Sequence, residues 1–208
     1  VRLEGEGKVP GWLGVGIDLE QLDEESAECV FHTLAQRMAE DLQAIGLDAP
    51  LPDGTLLSPD AACDIEPFRK GIKLFSDFKK YIQKVLGKLT ERGLGVLLLL
   101  DEFTVMTEAI KEGKINRKML GQLRGLFQSK LKVAGILCGA RVSMQEMEDG
   151  HWSPLFGMAK TISVGPLSES LTRKLITEPV EKHLEYPPHV VNRIVELTAC
   201  NPFYVQHF

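Results

Sequence analysis

The sequence predicts a three-layer α/β protein, a parallel sheet core followed by the start of a helical lid. Three observations carry this expectation. The run Gly95-Val96-Leu97-Leu98-Leu99-Leu100 is apolar without alternation and stops at two adjacent carboxylates, Asp101 and Glu102. Such a run suits a strand buried on both faces, as in a parallel sheet. Two further short apolar runs, at 12–19 and 132–139, alternate with segments of helical periodicity. After Pro166 the texture changes to helices alone, which places an α/β core at 1–166 and a helical lid at 167–208.

Taken in order, residues 1–11 are rich in Gly and charge and read as a lead-in. Trp12 to Leu19 reads as a strand ending near the acidic Asp18. From Glu24 to about Gly46, Val30, Leu34, Met38 and Leu42 recur at helical spacing, and Gly46 is a natural stop. Asp48 to Pro67 collects turn-forming residues with little periodicity and predicts a long excursion. One helix is expected over Phe68–Arg92, where Ile72, Phe75, Phe78, Ile82, Val85 and Leu89 form one stripe. Lys73, Lys79, Lys80, Lys84 and Lys88 lie mostly off that stripe and read as a solvated face. After the acidic-ended strand come a helix near Lys118–Leu131, a strand at Lys132–Gly139 ending in a glycine turn, and a short strand at Thr161–Val164. In the lid, Ser168 caps a helix to about Val180, Pro188 starts another to Thr198, and Asn201-Pro202 opens a third.

The bulk properties set limits. The chain has 208 residues, 44% hydrophobic and 25% charged, as an ordinary globular protein does. A net charge of −5 argues against a dedicated nucleic-acid surface. No apolar run approaches the roughly 18 residues a membrane span requires. Cys29, Cys63, Cys138 and Cys200 are far apart and form no Cys-x-x-Cys pair, which favours reduced cysteines and a cytoplasmic setting.

Ligands of parallel sheets bind at the carboxyl ends of the strands, where Asp101 and Glu102 emerge. A strand-terminal Asp followed by Glu suits a cation and an activated water; the other reading is that the pair caps a following turn or helix. A phosphate cradle of the form Gly-x-x-x-x-Gly-Lys-Ser/Thr is absent. The pairs Gly7-Lys8, Gly87-Lys88 and Gly113-Lys114 have Arg2, Ile82 and Glu108 at the first glycine position and Val9, Leu89 and Ile115 after the lysine. With Val1 in place of an initiator Met and Phe208 soon after a helix start, the chain reads as a fragment whose upstream strand and phosphate loop lie outside it.

The order of motifs over most of residues 13–208 resembles the signal-transducing STAND branch of AAA+ P-loop ATPases, close to archaeal and bacterial origin-recognition-like ATPases. Val15-Gly16-Ile17-Asp18-Leu19 and the following helix look like the second strand and helix of that core. Leu97 to Phe103, with Asp101-Glu102, looks like Walker B. Ile136-Leu137-Cys138-Gly139-Ala140-Arg141 looks like the sensor-1 strand, and Gly165-Pro166 through Thr198-Ala199-Cys200-Asn201-Pro202-Phe203-Tyr204 looks like the passage into the lid and its Gly-x-Pro turn. Cys200 stands where relatives usually have Gly, a residue that permits φ > 0. Ala140 and Arg141 replace a hydroxyl-rich sensor.

The resemblance implies ATP and Mg²⁺ as ligands. Asp101 would hold Mg²⁺ through water, Glu102 would orient the attacking water, Arg141 would reach the γ-phosphate, and Pro202 would pack near the adenine or ribose. Without those roles, Arg141 is a surface ion-pair residue and Pro202 a first-turn helix proline. The function implied is an ATP-hydrolysing switch acting on attached domains, protein partners or copies of itself, with the fragment inactive by itself. The alternatives are a non-catalytic interaction module on a degenerate nucleotidase fold, and a DNA-binding initiator-like ATPase needing a further basic domain. His32 reads as structural, and His151-Trp152-Ser153-Pro154 as a turn with a packed Trp. His183, His189 and His207 have no metal-ligand spacing, and Ser143 and Ser153 lack a nucleophile context.

Overall fold

The computed structural model describes residues 11–140 and 155–208, and the chain divides into two compact units between Lys160 and Thr161. The first unit is built on three parallel strands, β1 (Trp12–Asp18), β4 (Gly95–Asp101) and β5 (Val133–Leu137), in the order β1-β4-β5. The acidic-ended strand is thus central among them, and its four consecutive leucines take part in both ladders.

Register assigns each strand residue to a face. Leu13, Val15 and Ile17 stand beside Val96, Leu98 and Leu100, and Val96 and Leu98 stand beside Val133 and Gly135. This face is buried under one apolar cluster to which α1 (Ala27–Ala44), α3 (Phe75–Thr90), α4 (Phe103–Lys111) and α5 (Lys118–Phe127) all contribute. Phe31 stacks on Phe78 with ring centroids 5.1 Å apart, joining α1 to α3. The Phe127 ring abuts Gly135 with its Cζ end, where a β-carbon would come within 2.4 Å of it. Burying each Leu, Val or Phe in this layer contributes about 1.5–3 kcal/mol.

The opposite face differs. It carries Gly14 and Gly16 of β1, Leu97 and Leu99 of β4, and Ala134 and Ile136 of β5. None of the six belongs to the apolar cluster. Gly14, Gly16 and Ile136 are exposed, Ile136 by 49%.

The helix from Glu24 is present as α1, begun by the Ser26 hydroxyl accepting from Cys29 N. The 48–67 excursion contains a two-residue ladder, β2 (Ala49–Pro50) with β3 (Leu56–Leu57), and α2 (Glu66–Gly71). It is tied down by side chains from its neighbours. Tyr81 Oη donates to Pro50 O at 2.7 Å, Lys84 Nζ to Pro52 O, and Gln43 Nε2 to Ser58 O and Ala61 O.

Several expected elements are corrected. The single helix over 68–92 is two, α2 and α3, broken at Ile72–Leu74, where Leu74 is extended at φ −124°. Gly71 allows that break, because Pro52 fills the space a β-carbon would need. Helix α5 stops at Phe127, short of Leu131, and α4 occupies a stretch where no helix was anticipated. The short strand at Thr161–Val164 does not form. A strand requires a hydrogen-bonded neighbour, and among the described residues none lies beside it; Ile162 and Val164 are exposed.

The second unit packs α6 (Glu169–Thr177), α7 (Pro188–Thr198) and α8 (Pro202–Val205) around Ile176, Val191, Ile194 and Val205. Ser168 caps α6 through Leu171 N, as expected, and Pro179 turns the end of that helix into a 3-10 turn over Glu178–Val180. Among the described residues no helix is long and apolar enough to cross a membrane.

Candidate functional site

Asp101 and Glu102 sit at the carboxyl end of β4, half-buried, at the junction with α4. The main chain turns there within one residue. Glu102 is left-handed, φ 47° and ψ 44°, a conformation that costs a non-glycine residue about 1 kcal/mol. Three hydrogen bonds hold the turn. Asp101 Oδ1 accepts from Glu102 N at 3.0 Å, Cys138 N donates to Leu100 O at 2.9 Å, and Phe103 N donates to Cys138 O at 2.7 Å. The β4–β5 ladder therefore runs past the end of β5 and clamps the first residue of α4. Phe103 anchors the same junction from below, fully buried in the core.

Strain of this kind persists only where surrounding structure over-determines it, and it clusters at functional sites. A glycine would make the same turn without the cost, but it would carry no carboxylate. Among the described residues neither Asp101 nor Glu102 has an ion-pair partner, unlike the surface acids Glu25, Asp23 and Glu169. On β1, Asp18 is in register with Asp101 at the same end of the sheet. Its carboxylate is already used, accepting from Glu20 N at 3.0 Å and Gln21 Nε2 at 2.7 Å.

The exposed Cys138 thiol reports the local field. Burial and then the charges of Asp101 and Glu102 hold its pKa above the usual thiol range. Two unpaired carboxylates beside a free thiol suit a hard cation that keeps several waters, as Mg²⁺ does when one or two carboxylates and a substrate phosphate complete its shell. They supply the protein part of such a site and no phosphate-binding part. Among the described residues no group of three metal-ligating side chains gathers in one place.

Of the four residues singled out in the sequence, Asp101 and Glu102 are chain neighbours and stand at the end of β4. Arg141 lies outside the described residues, as do Ser143 and the His151–Pro154 turn. Pro202 lies in the second unit as the first residue of α8, preceded by Ala199 (φ 47°), Cys200 (φ 62°) and the capping Asn201. The backbone is left-handed at this turn although Cys200, and not glycine, occupies it. Leu167 N donates to Cys200 O at 3.0 Å, and Asn201 Oδ1 accepts from Phe203 N at 3.0 Å, which secures the turn from both sides.

The other candidates fall to structural roles. His32 is buried in α1, with Thr33 Oγ1 3.4 Å from Nδ1, and burial lowers its pKa. Cys29, Cys63, Cys138 and Cys200 are all free. Sequence reasoning missed the clamp at Cys138, whose signal is positional: it is the first residue beyond β5, opposite the acid pair.

No family model matches the chain, and no curated protein does. Among solved structures, a chain described as the Walker-type ATPase PABY2304 of Pyrococcus abyssi superposes with a TM-score of 0.61 at 15% identity, over 92% of this chain and 53% of that one. This chain therefore spans about half the length of that protein. The parallel α/β core, with its acidic pair at the carboxyl end of β4, is similar in fold to a Walker-type P-loop ATPase.

Proposed function

We propose that residues 1–208 form part of an ATP-binding and ATP-hydrolysing switch of the STAND/AAA+ type, which couples its nucleotide state to attached domains, protein partners or further copies of itself. The observation that supports this best is the acid pair, held unpaired at the end of β4 by a strained left-handed Glu102. In this reading Asp101 holds Mg²⁺ through its hydration shell, which neutralises phosphate charge. Glu102 orients the attacking water and accepts its proton. Arg141 reaches the γ-phosphate as charge develops, and Pro202 carries the nucleotide state into the lid. The free cysteines support a reducing, cytoplasmic setting. The competing reading, an interaction module that has lost turnover, draws on the three Gly-Lys pairs that fail the phosphate-loop spacing.

Glu102→Gln in the complete gene product separates the two. A switch ATPase loses turnover by a factor on the order of 100 or more while retaining Mg²⁺-ATP. Unchanged turnover removes Glu102 from the chemistry, and no nucleotide binding in either form favours the interaction module. Residues 1–208 alone are expected not to bind ATP measurably, because a backbone nest with its lysine is the main anion site in such proteins.

A further inference from the structure

The net charge of −5 averages over a chain whose charges are segregated. Helix α3 carries Lys79, Lys80, Lys84 and Lys88 against one acid, Asp77. Residues 117–132, from the start of α5 to the turn into β5, hold five cations and no acid. The two stretches adjoin. Helix α3 packs on β4 and α5 on β5, both over the core face of the sheet, and the helices touch each other. Their inward stripes are committed to the core, Ile82, Val85 and Leu89 from α3 and Leu120, Leu123 and Leu126 from α5. Their outward sides therefore form one basic surface. Lys80 pairs with Asp77 at 3.8 Å, but among the described residues Lys79, Lys84, Lys88, Lys118 and Arg124 form no ion pair. Arg117, Lys118, Gly121 and Gln122 line an open depression on α5. The acids at the margin are Asp53, close enough to Lys84 to feel its charge, and Glu91.

The make-up of this surface selects among polyanions. Between Phe75 and Lys132 no large apolar or aromatic side chain is exposed. Protein interfaces are depleted in Lys and centre on aromatic or aliphatic anchors, which this surface lacks. A helix that lies on a membrane needs an apolar face to insert, and those of α3 and α5 are spent on the core. Single-stranded nucleic acid is gripped by stacking on exposed rings, also lacking here. Ammonium groups with amide donors such as Gln83 and Gln122 are the set that holds a duplex through its phosphates without reading bases. We propose that the joined outward faces of α3 and α5 bind the phosphate backbone of a nucleic-acid duplex without sequence preference. Lys80, Lys84 and Lys88 recur every fourth residue, about 6 Å apart along the helix, so they meet one strand together. Lys84 Nζ, fixed by Pro52 O at 2.9 Å, keeps two further N–H donors for a phosphate. None of these residues belongs to the acid site, so the surface stands whether or not the chain hydrolyses ATP.

The test is fluorescence anisotropy of this chain with short labelled duplexes of mixed sequence, DNA and RNA in separate arms. With about four phosphates neutralised, affinity is expected to fall on the order of 100-fold between about 50 and 200 mM salt. Lys80→Glu combined with Lys118→Glu should weaken binding roughly tenfold or more and flatten the salt dependence by about two phosphates. Lys174→Glu combined with Lys182→Glu, the same change of charge in the second unit, should leave both unchanged. All four side chains are exposed, so the variants keep the fold, and circular dichroism checks that they do. Binding of either duplex with this pattern supports the proposal, and the tighter arm says whether DNA or RNA is the ligand. No binding at about 50 mM salt overturns it, as does an equal loss in the two double variants. Tighter binding to single strands, to polyglutamate or to phosphatidylserine vesicles at the same salt overturns it in favour of a stacking site, a protein partner or a membrane.

Discussion

Two junctions in this chain bend through left-handed backbone without using glycine, and they use it differently. At Asp101-Glu102-Phe103 the left-handed residue carries a half-buried carboxylate with no ion-pair partner among the described residues. Its own N–H is held by Asp101 Oδ1, and the N–H of the next residue, Phe103, by Cys138 O. At Ala199-Cys200-Asn201 two successive left-handed residues carry short side chains, and the turn is completed by an asparagine cap and by Leu167 N. The second junction only has to turn the chain, and a glycine could do so at lower cost. The first has to turn the chain and present an acid. Strain that a glycine would remove is informative where the side chain is polar, directed to the sheet end and left unpaired.

Breaking the anchors should separate the two most widely. Phe103→Ala removes a fully buried ring beneath the acid junction and is expected to cost 3–5 kcal/mol in denaturant unfolding. Asn201→Ala at the lid turn removes a single cap bond and should cost about 1 kcal/mol, read as earlier melting of the second unit. Glycine substitution sharpens the contrast. Glu102→Gly and Cys200→Gly should each stabilise by about 0.5–1 kcal/mol, strain relief outweighing the added freedom of the unfolded chain. The first should abolish nucleotide turnover in the complete protein, and the second should leave it intact. Equal activity in both variants would mean that the Glu102 carboxylate serves only the turn. The smallest effect concerns Cys138. Removing one neighbouring charge with Glu102→Gln lowers the thiol pKa and raises the thiolate fraction, so alkylation of Cys138 at pH 8 should quicken.

Much of the core was readable before any coordinates. An unbroken Leu run has no polar face to offer solvent, so a strand buried on both faces is its natural reading, and β4 is buried at Val96, Leu97, Leu98 and Leu100. Ser168, Pro188 and Asn201-Pro202 marked helix starts because capping chemistry is local. What failed depended on distant partners. The Ile72–Leu74 break requires Pro52 against Gly71, nearly twenty positions away in the chain. Thr161–Val164 has strand composition and no ladder to join, and composition alone does not supply a neighbour. Helix α4 carries Phe103, Met106 and Ile110 at helical spacing, but it is only nine residues long and follows the acids without a capping residue, so its own signal is short. The acid pair was legible as residues; the left-handed Glu102 and the Cys138 clamp were not, since both arise from β5 arriving alongside β4.

The excursion between α1 and α2 carries one more consequence. Every contact that pins it through Tyr81, Lys84 and Gln43 ends on a main-chain carbonyl of Pro50, Pro52, Ser58 or Ala61. Any residue offers a carbonyl, so apart from Pro52, which packs on Gly71, and the buried Ala49, the excursion can drift in sequence while keeping its path, whereas the three donors on the helices cannot. Across relatives, substitutions should therefore accumulate along the loop and be scarce at Gln43, Tyr81 and Lys84.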